Sequence, residues 1–144
     1  MPTAIQLGTS VGSTDRVSTA LPAAAATATP TGYLDLGPQR GVNQPFLKLQ
    51  VSVPATPALA DTKTITFSVW NCDTSGGTYT AIADLTAVLT QTGAGGAGDT
   101  ADSVLIPVAN HWQRYIKVKA AVASAGGDNT GVSYVMELVR DFNG

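Results

Sequence analysis

The side chains best suited to proton transfer, nucleophilic attack or metal binding are few and scattered in this sequence. His111 is the single histidine, next to Trp112. A histidine acting as general base needs a nucleophile within hydrogen-bond reach and a carboxylate to orient it. No nucleophile motif accompanies this one, and it reads as a surface or turn histidine. Cys72 is the single cysteine, with no histidine near it in sequence, and reads as a small packing residue beside Trp70. Glu137 is the only glutamate and falls on a strand pattern, which gives no carboxylate pair for glycoside hydrolysis. Asp73, Asp99, Asp102 and Asp128 lie in glycine-rich stretches, where carboxylates and carbonyls can hold calcium. They lack the D-x-D-x-D-G spacing, and aspartate and glycine are also good turn formers. The run GAGGAGD superficially matches a phosphate cradle, but no Gly-Lys-Ser/Thr follows and no helical pattern begins. It reads as a flexible connection. The sequence therefore predicts no enzyme, no metal and no cofactor.

Aromatic residues offer a second kind of chemistry. Trp70, Tyr79, Trp112 and Tyr115 could form a platform for sugar rings, or could pack between strands or at a subunit contact, where aromatics are enriched. Packing is the preferred reading, and Trp70 and Trp112 are expected at an interface.

The elements that must position these residues are strands. At 144 residues the chain suits one domain with its own core. One cysteine excludes an intrachain disulfide. Charged residues make up 12% of the sequence and the net charge is −2, so no basic stripe is available to neutralise a nucleic-acid backbone. The first residues carry no positive region leading into an apolar run, and no apolar run approaches the roughly 20 residues that span a bilayer. A protein of the cell interior, or of a particle assembled there, is expected. The scarcity of lysine and glutamate weakens colloidal repulsion, which suits a protein packed in an assembly.

Residues 1–31 form a compositional zone of their own. Ile5, Leu7, Val11 and Val17 are spaced among small polar residues, and PAAAATATP follows. Prolines and threonines oppose a helix there, and the zone reads as an extended arm with one short strand near residues 16–19. Residues 32–144 read as the sandwich domain. Alternation marks strands at residues 33–36, 45–53, 62–72, 78–82, 85–92 and 103–108, each bounded by turn residues. The firmest pattern is 113–141, where Ile116, Val118, Ala120 and Val122 share one face, and Val132, Tyr134, Met136 and Leu138 share another. The glycine-rich SAGGDNTG between them predicts a β-hairpin. Many short strands without helical periodicity predict an all-β antiparallel sandwich of jelly-roll type, with an immunoglobulin-like sandwich as the second choice.

Read in order, these segments resemble the jelly-roll capsid cement (decoration) proteins of tailed bacteriophages, of the Bordetella-phage type. The likeness rests on an Ala/Thr-rich stretch before Leu34-Asp35-Leu36-Gly37, on FLKLQVSV and TITFSVWNCDTSGG, and on IPVANHWQRYIKVKAAV followed by GVSYVMELVRD. It covers roughly residues 33–141. The resemblance implies a structural virion protein on the capsid exterior. Such a protein binds assembled major capsid protein, bridges neighbouring subunits, forms a dimer or trimer, and touches neither nucleic acid nor membrane. Ile5, Leu7, Val11 and Val17 are then expected at intersubunit contacts. A carbohydrate-binding module on a virion surface and a tail or head-completion component are the competing readings.

Overall fold

The computed structural model describes residues 4–6, 16–37 and 47–141. They form eleven strands: β1 (Ala4–Gln6), β2 (Arg16–Ala20), β3 (Thr27–Ala28), β4 (Leu34–Asp35), β5 (Leu47–Val53), β6 (Thr64–Cys72), β7 (Thr80–Ala81), β8 (Leu89–Thr92), β9 (Asp102–Pro107), β10 (Tyr115–Val122) and β11 (Ser133–Asp141). A single 3₁₀ turn, Ala83–Leu85, precedes β8. No described helix is long and apolar enough to cross a membrane.

The long strands form because their apolar residues recur every second position, which lets one side of each strand leave water. Leu47, Leu49, Val51 and Val53 of β5 are buried, as are Ile65, Phe67 and Val69 of β6. Ile116, Val118, Ala120 and Val122 of β10 meet Tyr134, Met136 and Leu138 of β11 in the same core. Each of the larger aliphatic side chains among them contributes roughly 1.5–3 kcal/mol when fully removed from water.

Two antiparallel sheets enclose that core. The first runs β1-β11-β5-β9 with β2 also on β11, and the second runs β3-β10-β6-β7 with β4 on β10 and β8 on β6. The paired short strands share edge positions: β1 and β2 lie along successive parts of β11, and β3 and β4 along successive parts of β10. Each sheet is thus four positions wide. After β2 the chain changes sheet at every connection except β4 from β3 and β6 to β7 to β8. That order is a jelly roll.

Jelly-roll winding overturns the predicted C-terminal hairpin. β10 pairs with β6 and β11 pairs with β5, so consecutive strands face one another across the core. The connection of residues 123–132 arches between sheets. Both strands bury one face, and that requirement is met as well by opposed sheets as by adjacent strands. The strand expected at 85–92 begins only at Leu89, because the 3₁₀ turn takes Leu85 and residues 86–88 lead from it back to β6.

The described part of the expected arm belongs to the sandwich. β2 pairs with β11 along Ala20↔Ser133 to Arg16↔Glu137. Val17 packs against the core, and Leu21 is 1% exposed within it. β1 pairs with β11 through Ile5↔Arg140. Leu7 and Val11 lie outside the described residues.

The loops at one end are locked together through their backbones. Ala60 N donates to Gly126 O, Thr62 N to Gly93 O, and Thr56 N to Asp99 O. Gly98 has φ +69, and a Cβ there would collide with the Thr56 carbonyl oxygen; only glycine permits both the conformation and the approach. Beneath these loops the buried Thr56 hydroxyl donates to Gln91 Oε1 (3.0 Å), and Gln91 Nε2 donates to Thr100 O (2.7 Å). The GAGGAGD run, expected to be a flexible connection, is part of this packed cluster.

β9 is a sheet edge. Val108 N donates to Leu47 O, so alternation turns the backbone groups of Ser103, Leu105 and Pro107 away from β5. Ser103 N–H is occupied by the Asp102 carboxylate at 2.8 Å, and Pro107 has no N–H. Two of three outward donors are thereby removed, which is how proteins blunt edges against strand addition.

Candidate binding face

The outer face of the second sheet gathers Tyr33, Trp70, Tyr79 and Tyr115. Alternation turns Tyr115, Lys117 and Lys119 of β10 outward, and the register sets Lys117 opposite Trp70 and Lys119 opposite Ser68 of β6. Lys119 Nζ stands 3.7 Å from the Trp70 ring centroid, and Lys117 Nζ stands 4.7 Å from that of Tyr79. Both are cation–π contacts. Trp70 Nε1 donates to Ser68 Oγ at 2.8 Å, which fixes the indole, and the Tyr79 hydroxyl donates to Ser75 O at 2.8 Å.

Further along the face, Tyr33 and Tyr115 meet edge to face with centroids 5.2 Å apart. Arg114 lies 5.1 Å from the Tyr115 ring. Its Nε and Nη2 donate to the two carboxylate oxygens of Asp35 at 2.8 and 3.0 Å. Asp35 also accepts from Gly37 N at 2.8 Å. This bidentate bond raises the Arg114 pKa further.

Burial, followed by the positive charge of Lys119, holds the Lys117 pKa below its ordinary value. Burial, with smaller contributions from Cys72, Tyr33 and Tyr115, pushes Tyr79 up to about 12. Among the described residues neither Lys117 nor Lys119 makes an ion pair. The strands of this sheet hold one carboxylate, Asp35, and Arg114 already occupies it.

The arrangement is a row of aromatic rings fitted with cations. It can bind, but it places no nucleophile against a base. His111 is exposed. It lines a shallow depression with Asn71, Asp84 and Gln113. Asp99 accepts from Thr92 N and Thr100 N, Asp102 from Ser103 N, and Asp128 from Thr130 N and Oγ1. Asp99 and Asp128 hold turns and Asp102 holds the β9 edge, and the Thr130 bonds lower the Asp128 pKa. No group of three or more His, Cys, Asp or Glu residues is placed to hold a metal among the described residues.

The residues singled out in the sequence are dispersed by the fold. Trp70, Tyr79 and Tyr115 come together on this face. Trp112 does not: it is 2% exposed and part of the core. Val17 packs on the core at the first sheet. Ile5 is placed by its backbone in β1, and Leu7 and Val11 lie outside the described residues. Cys72 is buried beneath the turn that follows β6, with its sulfur 3.8 Å from Thr74 Oγ1. Lys117, Lys119, Arg114 and Tyr33 were not singled out. Outward alternation of Tyr115, Lys117 and Lys119 was readable, but their pairing with Trp70 depends on β10 lying beside β6, and the hairpin reading put β11 there.

No family model matches the chain, and no curated protein matches it.

Proposed function

We propose that this chain is a non-enzymatic structural protein of a bacteriophage particle, a decoration protein that binds the outside of the assembled capsid and bridges neighbouring major capsid subunits. The observation that carries the reading is the outer face of the second sheet. Trp70, Tyr79, Tyr115 and Arg114 on a rigid sheet have the composition of a protein–protein contact, where tryptophan, tyrosine and arginine supply most of the binding energy. The jelly roll agrees with the resemblance drawn from the sequence. A sugar platform is less well supported, because stacking needs an open ring face and ammonium groups stand over Trp70 and Tyr79.

A protein that binds only the assembled shell stabilises it by mass action. Repeated contacts at symmetric positions suit a small oligomer, a dimer or trimer. The test is co-sedimentation of the purified protein with phage heads lacking it, beside disassembled capsid subunits. Pelleting with heads alone, in fixed ratio to the major capsid protein, is expected. Absence of pelleting with heads refutes the reading.

A further inference from the structure

We infer that the shell surface met by this protein is acidic, and that Lys117 and Lys119 are the groups that recognise its carboxylates. The inference rests on the capsid-binding reading and adds the partner's chemistry and the residues that read it.

The chain as a whole is acidic, with ten Asp and Glu against eight Lys and Arg. Its second sheet departs from that balance. The strands carry Lys117 and Lys119 two positions apart on one outward face, and their one carboxylate, Asp35, is saturated by Arg114 and Gly37. Two neighbouring ammonium groups without a carboxylate repel each other; burial first, and this repulsion second, hold the Lys117 pKa below its ordinary value. An arriving carboxylate would relieve that repulsion.

The lysines are also held in place before any partner arrives. Lysine side chains ordinarily lose rotamer freedom on binding, which weakens exposed ion pairs. Here Trp70 and Tyr79 already restrain both ammonium groups at 3.7 and 4.7 Å, and Ser68 and Ser75 fix the rings. Two cations are too few to neutralise a nucleic-acid backbone, where tight binders engage several phosphates at once. A protein surface bearing a few carboxylates fits the spacing, with Tyr115 supplying apolar contact beside the charges.

The test compares wild type, K117E/K119E, K117Q/K119Q and L105E for pelleting with phage heads over a salt series. Leu105, on the opposite sheet, is the exposed large apolar residue among the described residues, 43% accessible, and serves as the control face. All four proteins are first checked for the same thermal midpoint. Charge reversal is expected to weaken binding by about 100-fold and neutralisation by about 10-fold, the scale of losing close charge pairs across an interface. Wild-type binding should weaken with salt, and L105E should bind as wild type. If wild type pellets and both lysine variants pellet equally well, the inference is overturned and the capsid reading stands. If L105E alone loses binding, the opposite face is the docking surface and the inference is overturned. If wild type does not pellet with heads, both fall.

Discussion

The hydroxyl of Tyr134, a residue of the first sheet, donates to the backbone carbonyl of Val118, in the middle of a strand of the second. The bond crosses the core because the edge beside β10 is interrupted. β4 covers Tyr115 and Ile116, and β3 covers Ala120 and Ala121. Between them the chain leaves the sheet, and Val118 has no strand partner on that side. Met136 completes the repair, its sulfur accepting from Val118 N at 3.2 Å. Two side chains of β11 thus stand where a backbone strand would otherwise be.

Tyr134→Phe should therefore destabilise the fold despite preserving the ring. Phenylalanine keeps the edge contact with Phe67, now at 5.3 Å, but leaves a buried carbonyl without a donor. The expected loss is about 1–3 kcal/mol, read from urea unfolding. An unchanged midpoint would show that the bond contributes nothing net.

Alkaline pH should act on the same residue. Burial raises the Tyr134 pKa well above the ordinary 10.0, and Tyr79 is raised to about 12. Above pH 10 the unfolded chain releases these phenolic protons while the folded chain keeps them. The unfolded state then binds fewer protons, and stability falls as pH rises. Stability should be level from neutrality to about pH 9 and decline above pH 10, with a smaller decline in Tyr134→Phe. Unfolding free energies measured across that range decide it; a flat profile to pH 11 would contradict the assigned burial.

Gln91→Leu should be costly through its neighbours. Gln91 is 1% exposed and serves both the Thr56 hydroxyl and the Thr100 carbonyl. Leucine matches the shape and strands both groups, for an expected loss of about 2–4 kcal/mol. Hydrogen exchange should locate the opening in residues 54–63 and 93–101; protection there equal to wild type would rule out this role.

Val17→Asp distinguishes two roles for the N-terminal segment. Val17 packs against the core, and an added Cβ on Gly32 would lie 3.3 Å from its Cγ2. A carboxylate there should lower stability by about 1–3 kcal/mol. If stability is unchanged and particle binding alone is lost, Val17 faces a partner instead.

Asp102→Ala with Pro107→Thr should open the β9 edge. Both changes restore backbone donors on the side facing away from β5, and strand addition between copies becomes favourable. Light scattering should show a shift towards higher oligomers. An unaltered mass would mean that Asp102 and Pro107 are not what keeps the edge from pairing.

The strands were legible in the sequence because each buries a single face, and Ile116 to Val122 or Leu47 to Val53 announce this by alternation. Sheet membership was not legible. Period two says which side of a strand is inward but not which strand lies beside it, and SAGGDNTG fits a tight return or an arch equally well. The same gap hid the binding face. Trp70 and Lys119 are separately visible as outward residues, yet their meeting depends on the β6–β10 register. In the segment before residue 31 the short strand near residues 16–19 was legible and is β2; β1 and β3 are too short to show alternation, and only their pairing with β11 and β10 gives them a place.

β11 is the strand on which β1, β2 and β5 all assemble, and each of them must reach it across a long stretch of intervening sequence. Until it docks, the first sheet has no centre and Val118 no cap. The early strands have no local partner to nucleate on. Folding is therefore governed by long-range closure, which is slow compared with the zipping of local hairpins.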